Sequence, residues 1–134
     1  MDTPLHVLLV DDDQDDKLLF QEALGSVRYH TSFNYFSRGA DALKWLTSAT
    51  DLPHYIFLDL NMPCMNGKEV LAEIKAQHHL QHIPVIIYST SSNEDDKREC
   101  QYLGAALYLT KPYRLSELKD SIGFVLEQVS LQSL

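Results

Sequence analysis

Five short apolar runs alternate along the chain with five segments whose apolar residues have helical spacing, and this alternation leaves few folds open. The runs occupy residues 5–10, 30–36, 55–58, 84–88 and 105–109. Most are apolar on both faces, as in the middle of a parallel sheet, whereas run 30–36 alternates weakly and indicates an edge strand. Strict alternation predicts an α/β fold, a doubly wound parallel sheet covered by helices on both faces.

The first two helical segments have distinct start and stop signals. The first is expected to be an amphipathic helix, from the pattern of Leu18, Leu19, Glu22 and Ala23, and to end at Gly25. Ser37 is expected to cap the second, whose apolar face would carry Ala40, Leu43 and Leu46.

The later helices are predicted in the same way. Ser91 and Glu94 have capping-box spacing for the fourth helix. The inward positions of the third and fifth helices are expected to be Val70, Leu71, Ile74, Leu115, Leu118, Ile122, Val125 and Leu126.

Size and charge exclude several functions. A chain of 134 residues is typical of one domain, so a single domain over 1–134 is expected, with its core at about 5–129. The formal net charge of −8 argues against a nucleic-acid surface. No apolar run approaches the ~18 residues of a membrane span.

The two cysteines, Cys64 and Cys100, have neither zinc-site spacing nor the pattern of a disulfide framework. Reduced thiols, and with them a cytoplasmic location, are therefore the expectation.

Polar residues follow the apolar runs where each strand is predicted to end. They are Asp11, Asp12 and Asp13 after the first run, Asp59 and Asn61 after the third, Ser89 and Thr90 after the fourth, and Lys111 after the fifth. In doubly wound sheets ligands bind at the carboxyl ends of the strands, so these side chains define one candidate site.

The electrostatics of that site predict its chemistry. Asp11, Asp12 and Asp59 would share a pocket if the first and third strands are neighbours, and two carboxylates ~4 Å apart repel by about 4 kcal/mol at an effective dielectric of about 20. Such a cluster needs protons, a lysine or a cation, and Mg²⁺ suits carboxylate oxygens. Lys111 supplies positive charge and Ser89 a hydroxyl donor, which together favour a phosphoryl site with a carboxylate nucleophile.

At this point the chain resembles the receiver domains of two-component response regulators. The matching segments are VDD at 10–12, LDLNMP at 58–63 with Asn66 and Gly67, PVIIYS at 84–89, and YLTKP at 108–112. Each motif alone is common, but together, in family order and spacing, they cover essentially the whole chain. The resemblance implies a flavodoxin-like, five-stranded parallel sheet of order 2-1-3-4-5 with five helices. Asn66 departs from the aspartate frequent in the family, at a position that is not catalytic.

The resemblance also implies roles at the acidic positions. Asp59 would be the phosphoacceptor, attacking a phosphohistidine. Asp12 would bind Mg²⁺ directly and Asp11 through water, with Asp59 and the backbone carbonyl of Asn61 completing the ligands. Such a protein catalyses its own phosphorylation and dephosphorylation and is not a conventional enzyme.

The same resemblance predicts the switch. Lys111 would pair with the phosphoryl oxygens, Ser89 would move to hydrogen-bond the phosphoryl group, and Tyr108 would pack inward as Ser89 moves. Simpler interpretations remain for two of these residues: Ser89 as a capping hydroxyl and Tyr108 as a static aromatic.

The expected phosphodonor is a sensor histidine kinase or a histidine phosphotransfer protein, with phytochrome-type kinases among the candidates. With no DNA-binding output domain expected, the output would be contact with a protein partner or relay; homodimerisation stays open. The alternative is a receiver-fold adaptor that works without phosphorylation, although such adaptors usually lack the acid pair or Lys111. An aspartyl-phosphate hydrolase is disfavoured because Asn61 stands where a second aspartate is usual.

Overall fold

The structure, a computed structural model, describes residues 3–132; the first and last two residues of the expected 1–134 domain lie outside it. Ten elements alternate in strict order. They are β1 (Leu5–Val10), α1 (Gln14–Gly25), β2 (Thr31–Phe36), α2 (Gly39–Ser48), β3 (Tyr55–Leu58), α3 (Gly67–Ala76), β4 (Val85–Ser89), α4 (Glu94–Tyr102), β5 (Leu107–Thr110) and α5 (Leu115–Gln132).

The strands form one parallel sheet of order β2-β1-β3-β4-β5, which confirms the expected topology and the edge position of β2. β2 lies on one side of β1, whereas β3, β4 and β5 follow on the other side. The carboxyl ends of β1 and β3 therefore flank the point at which the strand order switches. Their register aligns Val10 with Leu58, which brings the residues that follow them side by side.

Alternate side chains of the strands enter two separate cores. One core packs β1 residues Leu8 and Val10 against α2, α3 and α4. The other packs Val7 and Leu9 against α1 and α5. The helices therefore cover both faces of the sheet, as the alternation predicted.

The core-facing stripe of α1 includes Ala23 of the predicted pattern but excludes Leu18 and Leu19. Leu18 and Leu19 are 59% and 43% exposed, whereas Phe20, Ala23 and Leu24 are buried. The latter three have i, i+3, i+4 spacing and form a stripe of their own. Packing against the sheet and α5 selects this stripe, and the adjacent leucines turn outward.

Two predicted caps were wrong. The N-cap of α2 is Arg38, which makes no side-chain capping bond, and Ala40 is exposed. The N-cap of α4 is Asn93, whose side chain accepts from the amides of Asp95 and Asp96, so Ser91 and Glu94 do not form a capping box.

The remaining boundaries shift by a few residues at most. β4 begins and ends one residue later than predicted, and β5 begins at Leu107 and ends at Thr110. Val70, Leu71 and Ile74 of α3 are buried as expected. Among the described residues no helix has both the length and the apolar character needed to cross a bilayer.

Candidate functional site

The candidate site lies at the carboxyl edge of the sheet. Asp11 directly follows β1, and Asp59 directly follows β3. The backbone amide of Asp59 donates to the Val10 carbonyl at 2.9 Å. Lys111 follows β5 and donates its backbone amide to the carbonyl of Ser89 at 2.7 Å. Backbone pairing of adjacent strands thus brings the strand ends together.

The three predicted acidic ligands meet. Asp11, Asp12 and Asp59 each offer a carboxylate oxygen, and these oxygens lie within 4.8 Å of one another. Asp11 is fully buried, Asp59 is 5% exposed, and Asp12 lies at the exposed rim. The prediction that the first and third strands are neighbours is confirmed by this arrangement.

The ammonium of Lys111 reaches into this acidic cluster, and it also contacts Asp16, which was not predicted. Its Nζ lies 2.8 Å from Asp11 Oδ2, 2.7 Å from Asp16 Oδ2 and 3.8 Å from Asp59 Oδ1. The side chain is only 7% exposed, and its ammonium lies 5.1 Å from the centre of the Tyr88 ring. Asp16 was not predicted as a site residue; the only signal in the sequence was that the acidic run continues into the first turn of α1.

Burial dominates the protonation of the two inner carboxyl groups. It raises the pKa of Asp59 to about 7, against the opposing charge of Lys111 and with added repulsion from Asp11. Burial likewise raises the pKa of Asp11, although the Lys111 ammonium opposes it. At Lys111 burial acts to lower the pKa, but its bonds to Asp11 and Asp16 outweigh burial and raise the pKa, so the lysine stays charged.

The donor set of the cluster fits a hard divalent cation. Every ligand atom is a carboxylate oxygen, as Mg²⁺ prefers. Asp11 Oδ2 is buried and, apart from its charge contact with Lys111, has no aligned hydrogen-bond donor within residues 3–132. Asn61 has a backbone amide that hydrogen-bonds the Asp59 carboxylate; the ligand role of its carbonyl stays a prediction.

The two predicted switch residues are joined through Ser91. Ser89 is fully buried, and its Oγ accepts from the Ser91 amide at 3.1 Å. Tyr108 is half-buried, and its hydroxyl donates to the Ser91 carbonyl at 2.8 Å. Ser91 therefore connects the Ser89 hydroxyl directly to the Tyr108 hydroxyl. The switching roles of Ser89 and Tyr108 stay predictions.

Ser91 also connects the site to two helices. Its Oγ donates to Asp96 Oδ2 at 2.8 Å, and Lys68 Nζ lies 2.7 Å from Asp96 Oδ1 and 2.7 Å from Glu99 Oε2. Lys68 is the second residue of α3, and Asp96 and Glu99 belong to α4. The sequence predicted Ser91 as a cap, and the family resemblance implied that it tunes the lifetime of the phosphoryl group. Neither predicted the connection to Lys68, because a contact between α3 and α4 leaves no local pattern.

The loop after Asp59 is held against the sheet by α3. Asn66 caps this helix in a capping box with Glu69, so the residue that departs from the family pattern has a structural role. A Cβ at Gly67 would lie 2.2 Å from the backbone oxygen of Asp59. The glycine therefore permits the direct approach of α3 to the candidate phosphoacceptor.

Comparison with known proteins gives one consistent result. Residues 7–123 match the response regulator receiver domain family. The response regulator Rcp1 of Synechocystis is 36% identical over 137 aligned residues, covering 96% of this chain and 93% of Rcp1. The structure of the phosphorylated cyanobacterial phytochrome response regulator RcpA is similar with a TM-score of 0.86 and 35% identity over 93% of both chains. The Mn(2+)-bound form of Rcp1 has a TM-score of 0.82 and 35% identity over 91% of both.

Proposed function

This chain belongs to the response regulator receiver domain family of two-component systems, and from that premise we propose that it signals by accepting a phosphoryl group on Asp59. The observation that carries the proposal is the buried Asp59 carboxylate, grouped with Asp11 and Asp12 and with Lys111 3.8 Å away. A turn aspartate with no chemical role would not need two further carboxyl groups and a buried ammonium beside it.

The proposed reaction is a phosphoryl transfer between two side chains. A carboxylate oxygen of Asp59 attacks the phosphorus of a phosphohistidine, the phosphorus–nitrogen bond breaks, and an acyl phosphate forms. Water later attacks the phosphorus, which releases inorganic phosphate and restores the carboxylate. The chain thus promotes its own phosphorylation and dephosphorylation.

Asp11, Asp12, Asp59 and the Asn61 carbonyl would hold Mg²⁺. When bound, the ion would offset the charge of the carboxylates and of the phosphoryl group. It would also favour the ionised form of Asp59, since a nearby cation lowers the pKa of a carboxyl group. The exposed position of Asp12 leaves this side of the site open to the ion and to the phosphodonor.

Lys111, Ser89 and Tyr108 would convert the new charge into a change of shape. Phosphorylation adds about −1.5 to −2 charge at one point. Lys111 and the Ser89 hydroxyl are the donors that would turn toward that charge. Movement of Ser89 would break its bond from Ser91, which also binds the Tyr108 hydroxyl, so the surface formed by α4, β5 and α5 would change.

The proposed phosphodonor is a histidine kinase of the phytochrome type. Receiver domains generally take phosphoryl groups from histidine kinases, and RcpA, at 35% identity, is described as a phytochrome response regulator. Faster transfer from a phytochrome-type kinase than from an unrelated histidine kinase of equal phosphorylation would support this assignment, and equal rates would contradict it.

The central test is the intact-protein mass after incubation with acetyl phosphate, with and without Mg²⁺. The wild type is expected to gain one phosphoryl group only when Mg²⁺ is present. Asp59→Asn should gain none because its amide is not a nucleophile. Asp15→Asn removes an exposed acidic group from α1 and serves as the matched control, which should be phosphorylated like the wild type.

An adduct of equal yield on Asp59→Asn would show that another residue is the acceptor. A folded wild type that binds Mg²⁺ and accepts no phosphoryl group from acetyl phosphate or from a histidine kinase would refute the proposal. That result would favour the phosphorylation-independent adaptor.

A further inference from the structure

The ammonium of Lys111 is held by a residue outside the set of acidic ligands. Asp16 Oδ2 lies 2.7 Å from Nζ, as close as Asp11 Oδ2 at 2.8 Å, while Asp59 Oδ1 is 3.8 Å away. Because the lysine side chain is only 7% exposed, its position is set by these carboxylates and the Tyr88 ring rather than by water.

Asp16 is itself fixed by the start of α1. The N-cap residue Asp13 accepts hydrogen bonds from the amides of Asp15 and Asp16, which orders the first helical turn. The Asp16 side chain is 27% exposed, so its carboxylate reaches the buried lysine from the solvent side. A local capping motif thus places a second carboxylate within hydrogen-bond distance of the Lys111 ammonium.

The resulting gap suits a phosphoryl group. A direct ammonium–carboxylate hydrogen bond is about 2.7–2.9 Å long, so at 3.8 Å Lys111 makes no direct hydrogen bond to Asp59 Oδ1. Phosphoryl oxygens attached to Asp59 would extend into the space between them. An ammonium free of Asp16 would instead be drawn onto the Asp59 carboxylate, because charge pairs strengthen as water is excluded.

We propose that Asp16 is a positioning residue for phosphoryl transfer: together with Asp11 it holds Lys111 at the distance at which the lysine binds the phosphoryl group without blocking Asp59. This inference rests on the proposed function. Asp16 does not touch the reacting atoms and acts only through Lys111.

A different role for Asp16 would predict the opposite effect. If Asp16 merely added negative charge, removing that charge would help an anionic phosphodonor to approach and would speed phosphorylation. Such a long-range effect would vanish at about 0.5 M KCl, where the Debye length is about 4 Å. Loss of positioning would slow phosphorylation at low and at high salt alike.

The experiment measures the rate of phosphorylation by acetyl phosphate in saturating Mg²⁺, at low and at high salt. We expect Asp16→Asn to be slower than wild type by roughly 10- to 100-fold at both, since small misplacements of a reacting group have effects of that size. Asp15→Asn removes the same charge from the same helical turn without contacting Lys111 and should stay within about twofold of wild type. Asp16→Glu, which keeps the carboxylate, should recover most of the rate.

A crystal structure of Asp16→Asn provides a readout independent of activity. Lys111 Nζ is expected within about 3 Å of Asp59 Oδ1, the range of a direct hydrogen bond. Thermal unfolding verifies that the variant folds; if it does not, Asp16→Ser, which also removes the carboxylate, takes its place.

Three results would overturn the positioning role: a rate for Asp16→Asn equal to that of Asp15→Asn, a faster rate that returns to the wild-type value at high salt, or an unmoved Lys111. A wild type that accepts no phosphoryl group would instead refute the proposed function, so the two failures are distinct.

Discussion

The side chain of Asp59 must be ionised to react, yet it is buried, and these two requirements oppose each other. Reaction with phosphorus requires an ionised carboxylate, whereas burial favours the protonated form and raises its pKa to about 7. The charge of Lys111 relieves this conflict only partly, because Nζ lies closer to Asp11 and Asp16 than to Asp59. Without a bound cation the site therefore costs stability.

That cost gives a prediction for Asp59→Asn in Mg²⁺-free buffer. The pKa of Asp59 is 3.8 as an unperturbed group and about 7 in the folded protein, so between these values the folded state binds more protons than the unfolded state. The contribution of Asp59 to the free energy of unfolding of the wild type should then fall as pH rises from about 4 to about 7. Asparagine cannot ionise, so the variant escapes this loss and should be more stable than wild type by roughly 1–3 kcal/mol at about pH 8.

Urea unfolding with EDTA at about pH 4 and about pH 8 measures this difference. The two proteins should be close in stability at the lower pH. Asp15→Asn, an exposed change of equal charge, should show no such pH-dependent gain. An Asp59→Asn advantage of equal size at both pH values would mean that ionisation of Asp59 is not its cause.

At the scale of elements, the N-terminus of α3 forms the support beneath the phosphoacceptor. The capping box of Asn66 and Glu69 fixes the first turn, and Gly67 packs directly on the backbone of Asp59. Lys68, the next residue, reaches α4 through Asp96 and Glu99. The backbone at Asp59 and the helix expected to change on activation are thus joined through one turn of α3.

Gly67→Ala should disturb this support. Its Cβ would lie 2.2 Å from the Asp59 oxygen and 2.8 Å from the Leu60 Cα, so the backbone must shift. Overpacking of this kind costs about 1–3 kcal/mol, which outweighs the helix-propensity gain of up to about 1 kcal/mol. We expect a lower free energy of unfolding in urea and slower phosphorylation by acetyl phosphate.

The matched control is Gly25→Ala at the end of α1, where an added Cβ meets nothing within 4 Å. That change should leave stability equal or slightly raised and the phosphorylation rate unchanged. If both variants retained wild-type stability and rate, the close contact at Gly67 would not constrain Asp59.

For the whole molecule, negative charge is the dominant feature. The formal net charge is −8, and four carboxyl groups lie at one end of the sheet, those of Asp11, Asp12, Asp16 and Asp59. Three of them, Asp11, Asp16 and Asp59, lie within 4 Å of the Lys111 ammonium. A cation that binds there stabilises the folded state, because the unfolded chain does not assemble the site.

Mg²⁺ should therefore raise the thermal unfolding midpoint, and EDTA should return it to its starting value. At a concentration 100 times the dissociation constant the stabilisation would be about 2.7 kcal/mol. Asp12→Ala removes one ligand and should need more Mg²⁺ for the same shift. Scanning fluorimetry with KCl at matched ionic strength is the control; an equal shift with KCl, or with Asp12→Ala at every Mg²⁺ concentration, would argue against specific binding at this cluster.

The alternation of strands and helices, and the places of Asp11, Asp12 and Asp59 at strand ends, followed from local patterns. The strand order that brings these three residues together came from the family resemblance and is confirmed by the structure. Strands buried on both faces are nearly continuous apolar runs, and parallel strands have their carboxyl ends at the same edge of the sheet. The positions of these residues next to the strands were therefore readable from the chain alone. The roles of Asn61, Ser89 and Tyr108 came from the family resemblance and stay predictions.

What escaped prediction depends on distances between elements. Leu18 faces outward because the packing of α1 against α5 and the sheet selects one of two adjacent apolar stripes, and periodicity does not rank them. Asp16 pairs with Lys111 across 95 positions of the chain, and Ser91 connects to Lys68 through Asp96 on another helix. Such contacts form only when the helices pack on the sheet at a particular angle and distance. The hydrophobic pattern and the polar residues at strand ends therefore determined the fold class and the candidate acidic residues. Tertiary packing decided which partner each charged side chain contacts.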